Sequence, residues 1–197
     1  IWDQSDPSNS HGNAPHPMQF STTADGTLNG GTLYYNSTGS SATTSTVNIA
    51  VTIGVDSVAG QSTGVYYFDG VEKPANYALV RGSTYIFDQS DNSNEVYGGA
   101  NHPLMFSTGP GGDHGGHGHY MNGVTYKLDG SVVSMAAYVS GFNAATSRTV
   151  TWTVPTSAPS TMYYWCHYHT GQGNSFTVTS PPAHAADYEN SLRPIFI

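Results

Sequence analysis

A chain of 197 residues is long enough to bury one complete sandwich core and part of another. Charged side chains make up only 9%, and 5 Lys and Arg against 13 acids leave a net charge of -8, so a phosphate backbone would be repelled and nucleic acid is not an expected partner. No apolar run approaches the roughly 20 residues that span a bilayer, so no transmembrane segment is expected, and a single cysteine allows no disulfide within the chain. The 23 glycines and 14 tyrosines, with little helical periodicity, predict an all-β fold of many short strands and turns.

In chain order, the first feature is the opening half of an internal repeat. Ile1-Trp2-Asp3-Gln4-Ser5-Asp6-Pro7-Ser8-Asn9 returns as Ile86-Phe87-Asp88-Gln89-Ser90-Asp91-Asn92-Ser93-Asn94, and His16-Pro17-Met18-Gln19-Phe20-Ser21-Thr22 returns as His102-Pro103-Leu104-Met105-Phe106-Ser107-Thr108. Residues 1–54 therefore read as a partial sandwich module, without the later cysteine loop and expected to lack metal. Asn36-Ser37-Thr38 is a glycosylation acceptor pattern at Asn36, meaningful only in a secreted chain.

Residues 55–181 read as the complete module. Strands are predicted at 65–68, 77–80, 84–88, 104–107, 124–128, 149–154, 162–165 and 175–179, a Greek-key β-sandwich pattern. The Asp-Gln-Ser-Asp-x-Ser-Asn segments are rich in side chains that bond their own backbone and read as turns. His114, His117 and His119 lie in a glycine-rich tract that reads first as a solvated loop, because glycine fixes no ligand geometry, and second as the holder of a further, weaker metal ion.

The one cysteine sits in Tyr163-Tyr164-Trp165-Cys166-His167-Tyr168-His169-Thr170-Gly171-Gln172-Gly173. A tight loop at a strand end can aim the Cys166 thiolate, the His169 imidazole and the Gln172 amide at one point, and His102 is the best second histidine. Soft sulfur, two nitrogens and one weak axial partner suit a copper electron-transfer centre. Alternation along the strand turns His167 away from Cys166.

Tyr67-Phe68-Asp69-Gly70, the run from Arg81 to Asp88, Ser93-Asn94 with His102-Pro103, and the run from Tyr163 to Gly173 resemble, in order, the motifs of secreted cupredoxin modules of the Tyr-Tyr-x-Cys-x-x-His-x-Gly-Met-Gly type. The resemblance covers residues 65–179. It implies a cupredoxin-like sandwich with a mononuclear type 1 copper at His102, Cys166 and His169, an extracellular or cell-surface location, and one-electron transfer to a redox partner that the sequence does not name. Gln172 stands where that pattern has Met, and its harder oxygen favours Cu(II) and a lower potential. No hydrolase signature occurs, so a carrier or structural role is expected rather than turnover.

The tail, residues 182–197, carries a competing structural reading. Arg193-Pro194-Ile195-Phe196-Ile197 read on into Ile1-Trp2-Asp3-Gln4 aligns without a gap against Arg81 to Gln89. Ile195, Phe196 and Ile197 are thus expected to act as a donor strand completing the strand of Ile1 and Trp2. The partner is the same chain or the next copy in a head-to-tail extracellular filament, unless the sequence is a window of a tandem array.

Overall fold

The computed structural model describes residues 45–181. Residues 1–44 of the partial first module, with Ile1, Trp2 and Asn36, and the tail from residue 182, with Ile195, Phe196 and Ile197, lie outside the described residues, and so does the donor-strand expectation.

Among the described residues, eleven strands form two sheets that face each other as the expected all-β sandwich. In chain order they are β1 (Thr46–Gly54), β2 (Val65–Phe68), β3 (Val71–Glu72), β4 (Tyr77–Val80), β5 (Thr84–Asp88), β6 (Leu104–Ser107), β7 (Val124–Leu128), β8 (Ser131–Val133), β9 (Arg148–Thr153), β10 (Thr161–Cys166) and β11 (Ser175–Thr179). The larger sheet runs β3-β2-β1-β5-β9-β7-β8 and the smaller β4-β11-β10-β6. Two short helices, α1 (Ser93–Val96) and α2 (Met135–Gly141), join strands at one end.

One boundary differs from the expectation. Residues 46–54, assigned by sequence to the partial module, form β1 inside the larger sheet, parallel to β5 and antiparallel to β2. Ile49, Val51 and Ile53 alternate into the core, so this domain starts at or before residue 46. The hairpin strands β3 and β8 were too short to show a period. Their turns are legible afterwards: Asp69-Gly70 and Asp129-Gly130 both carry positive φ at the two central residues, the backbone that a tight two-residue hairpin requires. Helix α2 begins at Ser134, whose hydroxyl accepts from the Ala137 N–H at 3.1 Å.

The core is aromatic. Phe176 on β11 has its ring 5.1–6.3 Å from Tyr164, Phe106, Phe87, Trp152, Phe68 and Tyr77, which come from both sheets. Above it, at the end of β5, sits a buried polar hub. The Gln89 amide nitrogen donates to Asn94 Oδ1 (2.9 Å) and to the His102 carbonyl (2.8 Å), while its oxygen accepts from the Leu104 N–H (2.9 Å) and the Tyr138 hydroxyl (3.0 Å). Asn94 in turn donates to the Val51 carbonyl at 2.6 Å. Arg148 closes the same end through the Phe142 and Ala145 carbonyls and Glu95. The adjoining acids keep the turn role expected of them, Asp88 accepting from the Ser90 N–H and Asp91 from the Ser93 N–H.

Gln89 is wholly buried, and its side chain uses both amide hydrogens and both oxygen lone pairs. Gln89→Leu leaves the Leu104 N–H and Asn94 Oδ1 without their partner in the core, and is expected to cost about 2–3 kcal/mol, measured as a lowered urea midpoint at unchanged m-value.

Candidate metal centre

The register of β6 against β10 sets the site. Leu104 faces Cys166 across the antiparallel pair, and the Pro103 carbonyl accepts from the His167 N–H at 3.0 Å. The residue before that proline, His102, is thereby carried to the same end of the sheet as the cysteine. After β10 the chain doubles back through Gly171, at φ +74°, and Gly173, where any Cβ would overlap the Tyr164 carbonyl oxygen. That turn returns His169 and Gln172 toward Cys166, and the Gln172 carbonyl is held by the Tyr66 N–H at 3.1 Å.

One imidazole nitrogen of His102 and of His169 and the sulfur of Cys166 all lie within 4.8 Å of one another. Cys166 Sγ is 3.4 Å from His169 Nδ1 and 3.9 Å from His102 Nδ1. An ion bonded to sulfur at about 2.3 Å and nitrogen at about 2.0 Å, with angles between tetrahedral and trigonal, separates the two donors by about 3.5–3.8 Å. The observed distances straddle that range.

The protonation state of His102 follows from its neighbours. Its Nε2 lies 2.9 Å from the Tyr97 carbonyl, which only accepts, so Nε2 carries the hydrogen and Nδ1 of the neutral ring presents a lone pair. Gln172 is oriented in the same way, its amide nitrogen donating to the Thr63 carbonyl at 2.6 Å. The amide oxygen is therefore turned inward, 3.0 Å from His102 Nδ1. Two lone pairs face each other there, each ring or amide being held at its far end by a carbonyl. Burial pushes the His102 pKa below its ordinary 6.5, so a proton does not fill the gap at neutral pH. The donor set is one that a cation taking both nitrogen and sulfur would fit.

His102, Cys166 and Gln172 are fully buried and His169 partly so. Burial raises the Cys166 thiol to about 11 and lowers His169. Both imidazoles are thus neutral at pH 7, and the thiol carries the proton that a bound ion would displace.

The glycine-rich tract behaves differently from either expectation for it. His114, His117 and His119 do not converge, and among the described residues only His102, Cys166 and His169 form a His/Cys/Asp/Glu triad close enough to share an ion. Nor is the tract a free loop. Its 3-10 turn, Gly112–Gly115, lies on the Trp165 indole so closely that a Cβ at Gly112 would overlap the ring, and the His117 ring is pressed against Gly109 in the same way. His114 Nε2 sits 3.2 Å from the Cys166 carbonyl. His167 lies on the Trp165 side of β10, away from the Cys166 sulfur, as alternation requires.

Gln89 and Asn94 support the site in a way that turn chemistry did not convey. Asn94 accepts the His102 N–H through its carbonyl at 2.8 Å, and Gln89 with the Tyr66 hydroxyl at 2.9 Å holds the His102 carbonyl. Their signal in the sequence is the repeat itself, which keeps Gln4 and Asn9 in register with Gln89 and Asn94.

No family model matches the chain, and no curated protein matches it. Among solved structures it is similar to the crystal structure of a multi-copper oxidase from Pediococcus acidilactici, with 16% identity and a TM-score of 0.36 over 73% of this chain. The chain spans 28% of that oxidase's length.

Proposed function

We propose that residues 45–181 form a cupredoxin-like electron carrier of the cell exterior. His102 Nδ1, Cys166 Sγ and His169 Nδ1 would hold a single type 1 copper, with the Gln172 amide oxygen as a further, weaker donor. The observation that carries this reading is the pair of lone pairs, His102 Nδ1 and Gln172 Oε1, fixed 3.0 Å apart by hydrogen bonds to the Tyr97 and Thr63 carbonyls. Bound copper would supply one-electron exchange between Cu(II) and Cu(I), to which thiolate with imidazole ligands is suited.

The chain's own part is to hold the donors still and dry. The Gln89 hub fixes the backbone of His102 on both sides, the β6–β10 ladder fixes Cys166, and Tyr66 ties the Gln172 loop to β2. His169 is the most exposed of the four, which makes it the natural edge for electron entry from a partner. Tyr164 serves packing, its ring 4.6 Å from Phe68 and its hydroxyl bonded to the Pro74 carbonyl.

One equivalent of Cu(II) is expected to give an intense visible thiolate-to-copper band that is absent in Cys166→Ser. Absence of both the band and bound copper in the unaltered chain overturns the reading. Replacing the axial oxygen by a thioether, Gln172→Met, is expected to keep the band and raise the reduction potential by about 59 mV or more, a tenfold shift in the one-electron equilibrium, read by voltammetry. Copper affinity has a definite pH dependence. The thiol is protonated until about pH 11 and both imidazoles are already neutral at pH 7. Each ion bound therefore releases one proton, and affinity is expected to rise about tenfold per pH unit between pH 7 and 9, measured by competition with a chelator of known pH behaviour. A flat profile would show that the thiol is not a ligand.

A further inference from the structure

Three buried side-chain atoms among the described residues have no hydrogen-bond partner: His119 Nε2, His167 Nδ1 and Trp165 Nε1. Buried polar atoms are normally paired, and each orphan asks for a cause. These three are neighbours. The His119 and His167 rings are 5.9 Å apart between centres, and the Trp165 ring lies 4.9 Å from the first and 6.4 Å from the second.

The tautomer of neutral His119 follows from its other nitrogen. Nδ1 lies 3.2 Å from Asp113 Oδ2, and a carboxylate only accepts, so in the neutral ring Nδ1 carries the hydrogen and Nε2 is left as a buried lone pair. A carboxylate behind an imidazole, with the far nitrogen bare, is the arrangement that orients histidines toward metal ions. The tract bearing both residues is held in place by its contact with Trp165 and by the His117 N–H, which donates to the Gly112 carbonyl at 2.8 Å. An ion bonded at about 2.0 Å to one nitrogen of each ring, at a tetrahedral angle, holds the ring centres about 5.2 Å apart, so the observed 5.9 Å asks the two rings to close by about 0.7 Å.

We propose that His119 Nε2 and His167 Nδ1 bind a divalent transition-metal ion at a second site, on the face of β10 opposite Cys166, with Asp113 as positioning residue. Two imidazoles select zinc, copper or nickel over calcium and magnesium. Water completes the coordination, and a metal-bound water gives the Trp165 N–H its acceptor, so one ion accounts for all three orphans.

Zinc alone is the probe, titrated calorimetrically into the metal-free chain and followed by nitrogen NMR of the histidine side chains. His119→Gln and His167→Gln are each expected to take up one equivalent fewer than the unaltered chain. Asp113→Asn is expected to keep the count with that equivalent bound about 10- to 100-fold more weakly. In the unaltered chain, where no variant has to fold, the imidazole nitrogen signals of His119 and His167 should shift with that equivalent. Unmoved signals, or an unchanged stoichiometry in both variants, overturn the proposal. His102→Ala separates this site from the first: the equivalent lost in His119→Gln persists in His102→Ala if the second site is real, whether or not the first binds copper.

Discussion

The alignment of β6 with β10 is the constraint on which the rest of this end of the molecule depends. Leu104 opposite Cys166 is the last rung of that ladder, and one residue of slip would turn the sulfur from the site to the outer face of the sheet. Register is held from below by Phe106 facing Tyr164 and by the packing of both rings on Phe176. It is held from above by the Pro103 carbonyl on the His167 N–H. Hydrophobic packing in the middle of the sandwich thus decides which atoms meet at its tip.

Polar order is added on top of that packing rather than in place of it. Gln89, Asn94 and Arg148 are buried but satisfied, so they tie β1, β5, α1, α2 and the His102 segment together without leaving orphaned groups. The site is the exception. His102 and Gln172 are each satisfied at one end and set against each other at the other. Against the paired polar groups of that hub, this contact stands out as two acceptors with no donor between them. Among the described residues, three unpaired atoms lie around Trp165, on the reverse face of the same strand.

Much of this was legible before any coordinates. Strands such as Tyr77–Val80, Thr84–Asp88 and Leu104–Ser107 alternate or are bounded by Gly, Pro and Asp, and the structure has them at those residues. The convergence of His102, Cys166, His169 and Gln172 followed from a cysteine with a histidine three residues on and a second histidine beside a proline. β1 was misassigned because its apolar period says that it is a strand, not which sheet it joins. Its parallel pairing with β5 is a property of the whole topology. The role of Gln89 was hidden for a related reason. A glutamine in an Asp- and Ser-rich stretch looks like turn chemistry, and only tertiary packing shows that its neighbours are bonded locally while it faces inward.

The placement of β1 sets how the domain can be parted from whatever precedes it. This strand lies between β2 and β5, in the interior of the larger sheet, with Ile49 and Val51 wholly buried. Cutting the chain at residue 55 would not trim a linker. It would split the sheet into two pieces, each with a raw edge of unpaired N–H and C=O groups, and lay bare the apolar face that β1 covers. Such edges recruit strands from other chains, so a fragment cut there is a seed for aggregation, and the nine residues of β1 act as the domain's protection against itself.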